Sequence, residues 1–206
     1  MMRHNSSIFL SINLSFAFLI FFTMHFQVFA TELNSNNRTS LYVDSKNKFE
    51  LYYPSNWEIA PKNSTFPYYG ETTEIVFIPK GESVSPLNQI VFSISVSDVG
   101  ELLKNGNINS SLFLDEVVAE RVNSFSDPSS IYAGLEVKLL ENNRANIDGI
   151  LSRELVFLTQ GLGTFDMDIF IINEGLLYHF VFMSPKSQAL EIAPQIQQMK
   201  SSFKFK

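Results

Sequence analysis

The chain has 206 residues, with 15 Lys and Arg against 21 Asp and Glu, and it contains no cysteine. Absence of cysteine excludes thiol catalysis, thiolate metal sites, disulfides and a lipidated lipoprotein cysteine. The acidic balance lacks the basic patch that phosphate neutralisation requires, so no nucleic-acid partner is expected. Stability must come from packing, for which 20 Phe and 7 Tyr supply large apolar areas.

Arg3 and His4 open the chain, Ile8 to Phe22 is an uncharged and almost wholly apolar run, and Val28-Phe29-Ala30 ends on a small residue. This order of charged, apolar and cleavage-type segments predicts a secretory signal peptide over residues 1–30. The alternative is a retained N-terminal membrane anchor, because Ile8 to Ala30 carries no charge and approaches the ~20 residues that span a bilayer. His25 and Gln27 dilute the distal part, which favours cleavage. Losing Arg3 with the signal leaves 14 basic against 21 acidic residues, a net charge of −7. The expected product is extracellular or faces outward from the cell envelope, and it is expected to be a monomer with no remaining membrane span. Asn37, Asn63 and Asn109 head glycosylation sequons that such a location would permit.

Residues 31–40 are polar and read as a flexible leader, with the folded domain over residues 41–206. Leu41 to Val43 and Phe49 to Tyr53 read as strands joined by a polar turn, and Pro54 stops the second. Further strands are expected at Glu74 to Ile78 and Gln89 to Ser97; in the latter Ile90, Phe92, Ile94 and Val96 form the core face. Before the Glu74 strand, after Pro54, lies an aromatic loop around Phe66 to Gly70. A helix is predicted from Ser110 or Ser111 as cap to about Phe125, with Leu114, Val117, Val118, Val122 and Phe125 on one stripe. Leu135 to Leu140 is extended. Ile150 to Thr159, Thr164 to Ile172 and Leu176 to Met183 read as strands joined by short glycine-containing turns, the sign of antiparallel hairpins. A last helix carries Ile192, Ile196, Met199 and Phe203 on one side, with Pro194 expected in its first turn. The sum is an α+β fold: an antiparallel meander flanked by helices.

Phe49 to Glu58, FELYYPSNWE, resembles the opening signature of the PsbP family, an aromatic strand followed by Tyr53-Pro54, a short turn and Trp57. The tail is similar to the same family: Gly175 to Tyr178 closing a hairpin, a strand, a Ser184-Pro185 break and a helix leading to Ser201-Ser202-Phe203. The resemblance implies a PsbP-like α/β/α sandwich and a noncatalytic, extracytoplasmic accessory role. Well-known members are extrinsic subunits of photosystem II that help to retain calcium and chloride, and a Ran-binding nuclear import factor shares the fold. This chain has neither a Ser- and Arg-rich transit sequence nor a lipoprotein cysteine, so a secreted member from a nonphotosynthetic prokaryote or archaeon is the expected origin.

Physically, Pro54 ends a strand, Asn56 suits a turn and Trp57 returns a large ring to the core. Tyr53, Pro54 and Trp57 are therefore read as structural. Asp166 and Asp168, two apart on a strand, project from one face and are the candidate cation ligands, with Ca²⁺ the implied metal. Tyr68, Tyr69, Glu71 and Glu74 form a candidate binding surface, for a protein partner or a small ligand. His179 is the only histidine beyond the signal, too few for an imidazole metal centre, and is expected to be half-buried and hydrogen-bonded. No nucleophile elbow, phosphate loop, dinucleotide fingerprint or zinc helix motif occurs. The expectation is a binding module and not an enzyme; a carboxylate hydrolase at Asp166 and Asp168 and a calcium-binding accessory protein are the alternatives.

Overall fold

A computed structural model describes residues 38–61, 72–81 and 89–206. The predicted signal, Asn37, Asn63 and the Phe66 to Gly70 loop with Tyr68 and Tyr69 lie outside these residues, as does Glu71. The first hairpin joins β1 (Thr39–Asp44) to β2 (Phe49–Pro54). Its turn is held by the Asp44 carboxylate, which accepts from the Asn47 backbone N–H at 2.8 Å and from its side chain at 3.1 Å. A short β3 (Trp57–Ile59) follows the Ser55-Asn56 turn and pairs with β4 (Thr73–Pro79), which pairs in turn with β5 (Val91–Asp98).

Two helices follow, α1 (Gly100–Gly106) and α2 (Ser110–Ser124). Asn109, and not Ser110 or Ser111, caps α2: its side chain accepts the Leu112 N–H at 2.9 Å. The meander then runs through β6 (Val137–Ile147), β7 (Ile150–Thr159), β8 (Thr164–Asn173) and β9 (Leu176–Pro185). Asp148 and Gly149 both take positive φ, 51° and 81°, and close the β6–β7 turn in the left-handed geometry tight hairpins use. The chain ends with α3 (Ala189–Ser202) and β10 (Lys204–Phe205).

The strands form two sheets, β1-β2-β10 and β3-β4-β5-β9-β8-β7-β6, with every pairing among the described residues antiparallel. Alternation along β8 and β9 separates two cores. On one face Leu155, Phe157, Phe170 and Ile172 meet Leu114 and Val118 of α2 and Tyr132. On the other, Phe180 packs on Phe203 at 4.8 Å, and Phe203 stacks on Phe49 of the small sheet at 5.3 Å. Ile192, Ile196 and Met199 of α3 are buried, as the spacing predicts. The result is an α+β fold of helix, sheet, and helix with small sheet.

Several boundaries differ from the sequence reading. Strand β6 runs on to Ile147, because Glu141 to Asn146 pair with β7 as an exposed sheet edge and so lack an apolar alternation. Pro194 sits in the second turn of α3, which begins at Ala189. The carbonyl it leaves without an intrahelical donor is that of Leu190, a residue 53% exposed, where water can serve. Helix α1, with no buried residue, and the two- and three-residue strands β10 and β3 carry too little periodicity to be read in advance.

Candidate functional site

The polar centre of the molecule lies between β8 and α2. Asp166, Asp168 and Phe170 alternate with Met167 and Ile169, so the two carboxylates do leave β8 on one face. Asp168 is wholly buried, and such a charge needs compensation. Helix α2 brings Arg121 down on it, with Nε 2.5 Å from Oδ2. The guanidinium also lies 5.0 Å from the ring centre of Tyr132, 5.6 Å from Phe157 and 5.7 Å from Phe125, an aromatic enclosure that favours a cation. From β9, His179 places Nε2 3.3 Å from Asp168 Oδ1 and stacks its ring on Phe170 at 4.4 Å. The His179 side chain is 28% exposed, which makes it the member of the group nearest to solvent.

These environments drive the two carboxyls apart. Burial alone would raise Asp168, but His179 and Arg121 outweigh it and hold the group below the usual carboxylate range. Burial likewise opposes the charge on Arg121, and Asp168 more than restores it, so its pKa is raised. Asp166 has no cation in contact: burial pushes it up to about 6, against the opposing hydrogen bonds from Thr164 at 2.8 Å and Thr159 at 3.2 Å. Tyr132 is pushed up by burial to about 12 and stays a neutral phenol.

For chemistry this arrangement is restrictive. A hard cation takes about 6–8 oxygen ligands, and here one Asp168 oxygen faces Arg121, the other faces His179, and Asp166 accepts from two hydroxyls. Among the described residues no group of three or more His, Asp or Glu is arranged to hold a metal ion. A general acid or base must also reach substrate, whereas Asp166 is 8% exposed and Asp168 not at all.

Of the remaining predicted residues, Glu74 accepts from Lys46 at 3.0 Å. Tyr53 packs on Phe77 at 4.9 Å, Pro54 ends β2 opposite Thr39, and Trp57 is 1% exposed with its indole N–H donating to Gln195 at 2.6 Å. Beside Trp57 a cavity of about 390 Å³ opens between the Asn56 turn, Lys80, Ile90 and the first turns of α3.

The pairing of Arg121 with Asp168 escaped the sequence reading because 47 residues separate them. One signal was present. Leu114, Val118, Arg121 and Phe125 are spaced four, three and four apart, so a cation rides the buried stripe of α2 and requires a buried acid.

Among the described residues no helix is long and apolar enough to cross a membrane. No family model matches the sequence, and no curated protein matches it. Solved structures do match in shape. The solution structure of cyanobacterial PsbP (CyanoP) from Synechocystis sp. PCC 6803 superposes with a TM-score of 0.59 at 15% identity, over 85% of this chain and 98% of that one. LpqN of Mycobacterium tuberculosis, described as involved in cell envelope biogenesis, superposes with a TM-score of 0.51 at 10% identity, over 82% and 91%. At such identities the likeness concerns backbone architecture, and the architecture of this chain is PsbP-like.

Proposed function

We propose that this chain is an exported accessory module of PsbP-like fold, facing outward at the envelope of a nonphotosynthetic prokaryote, and that it acts by binding a partner and not by turnover. The carrying observation is the commitment of Asp168. The two adjacent carboxylates that a hydrolase would need are buried under α2, one paired with Arg121 and the other bonded to threonines. Export rests on the N-terminal charge and apolar pattern, and the envelope setting described for LpqN agrees with it. A protein partner suits a noncatalytic domain; a small ligand is supported by the cavity beside Trp57, which falls in the usual size range of about 300–1,000 Å³ for ligand pockets.

The test is capture from native envelope by the immobilised chain, with and without Ca²⁺, using Asp166→Asn alongside. Saturable retention of the same partner in all arms agrees with the proposal. A turnover activity lost in Asp166→Asn would replace it by the hydrolase. The small-ligand version is read from the fluorescence of Trp57, the only tryptophan in the chain.

A further inference from the structure

The two sheets treat their edges differently. Strand β6, the outer edge of the large sheet, carries Lys138, Glu141 and Arg144 and a register shift between Leu139 and Glu141. Charges and bulges of this kind block edge-to-edge pairing. Strand β3, at the other end, is three residues long. Strand β1, the outer edge of the small sheet, has no such guard: Thr39 to Val43 contains no charge and no proline, and its register with β2 is unbroken.

The phase of the β1–β2 ladder settles which backbone groups are free. Ser55 N–H donates to the Arg38 carbonyl at 2.9 Å, so in the β1–β2 register Ser40, Tyr42 and Asp44 turn their backbone groups toward β2. Tyr52, opposite Leu41, instead bonds Ser202 through both its N–H and its carbonyl, which confirms the phase. Thr39, Leu41 and Val43 therefore present N–H and C=O outward, and among the described residues none of them has a hydrogen-bond partner on that side. Their side chains add an apolar strip: Leu41 is 49% and Val43 42% exposed, beside Tyr52 at 45%.

We infer that this edge pairs with the β1 of a second copy of the chain, antiparallel and centred on Leu41. The three outward residues make the strand self-complementary. With Leu41 opposite Leu41, Thr39 falls opposite Val43, so every outward residue meets an outward residue and both backbone bonds of each pair can form. The same register sets Arg38 opposite Asp44, whose buried carboxylate already holds the β1–β2 turn, so no like charges face each other. Leu41, Val43 and Tyr52 of the two copies then form one apolar strip across the joint sheet. Another register that keeps outward groups together loses a pair at each shift, because β1 has only three outward residues among the described ones. A second copy thus supplies the complement that a partner of arbitrary sequence would have to match by chance, giving a dimer in place of the monomer expected from the sequence.

The chain has no cysteine, so a single introduced thiol reads the geometry directly. Leu41→Cys places two thiols across the two-fold axis with Cα atoms about 5.5 Å apart in a hydrogen-bonded antiparallel pair, within the range a disulfide accepts. On the full chain in mild detergent under mild oxidation, Leu41→Cys is expected to form a disulfide dimer. Leu102→Cys, on the exposed α1, should remain at least tenfold slower. Adding Val43→Lys to Leu41→Cys should bring the rate down to that of the control, with unchanged melting showing that the fold is kept. Equal rates for Leu41→Cys and Leu102→Cys would overturn the inference. So would a mixed disulfide of Leu41→Cys with a different protein in native envelope without the homodimer, which would make β1 a strand-addition site for a heterologous partner.

Discussion

The two faces of the seven-stranded sheet are stabilised in different ways. Toward α3 and the small sheet the core is aromatic: Phe49, Phe77, Phe92, Phe180 and Phe203 are each at most 2% exposed and touch one another edge-on, tilted or stacked. Toward α2 the apolar layer encloses an arginine, two carboxylates and the edge of a histidine. Apolar packing is non-directional and tolerates exchange of shape. A buried ion pair is costly to leave half-made and contributes little beyond an apolar pair of equal volume, so its presence points to positional specificity and not to raw stability.

The sharpest way to break this contrast is Asp168→Asn, which leaves Arg121 in its aromatic enclosure without an anion. We expect a loss of about 3–5 kcal/mol in denaturant unfolding. The double change Arg121→Met with Asp168→Leu should recover most of it, because the pair is then replaced by apolar volume. A double variant no more stable than the single one would show that the centre does more than hold α2 on the sheet.

On the aromatic face, Trp57→Ala should cost about 3–5 kcal/mol through the cavity it leaves, and it also frees Gln195 of its donor. No single further change on that face should restore the loss. A cost below about 0.5 kcal/mol would mean that the ring packs as a surface residue does.

These two sites also show what a sequence discloses. Trp57, Phe49, Phe203 and the apolar stripes of α2 and α3 were legible because burial leaves a local period, 2 on a strand and 3.6 on a helix. Strands β7 to β9 were legible for the same reason, helped by Gly163 and Gly175 at positive φ in their turns. The site was legible only as two acids on one face of β8. Their partners come from α2 and β9, and no local period encodes which cation will meet which anion. The length of β6 was hidden because an edge strand facing water needs no alternation.

A smaller effect separates the two carboxylates by pH. Asp166 is raised to about 6 in the folded chain, above its ordinary value near 4, so the native state holds a proton that the unfolded state releases. Stability should therefore fall as pH rises from about 4 to 6 and then level off. Asp166→Asn should flatten that slope. Asp168 has the opposite sign: its folded value is depressed, so its contribution is present above the ordinary carboxylate value and is lost only as the pH falls through the lower folded one. Melting temperature followed across this range in both proteins checks the assignment, and a slope unchanged in Asp166→Asn would remove Asp166 as its origin.

The central claim is that the carboxylates on β8 are engaged by the protein itself and serve neither a cation nor a substrate. Its most direct measurement is the melting temperature of the unmodified chain as Ca²⁺ is raised into the millimolar range, since a ligand bound only by the native state must raise it. We expect no shift, in this chain or in Asp166→Asn. A saturable rise in the unmodified chain that disappears in Asp166→Asn would contradict the claim and make β8 a calcium site.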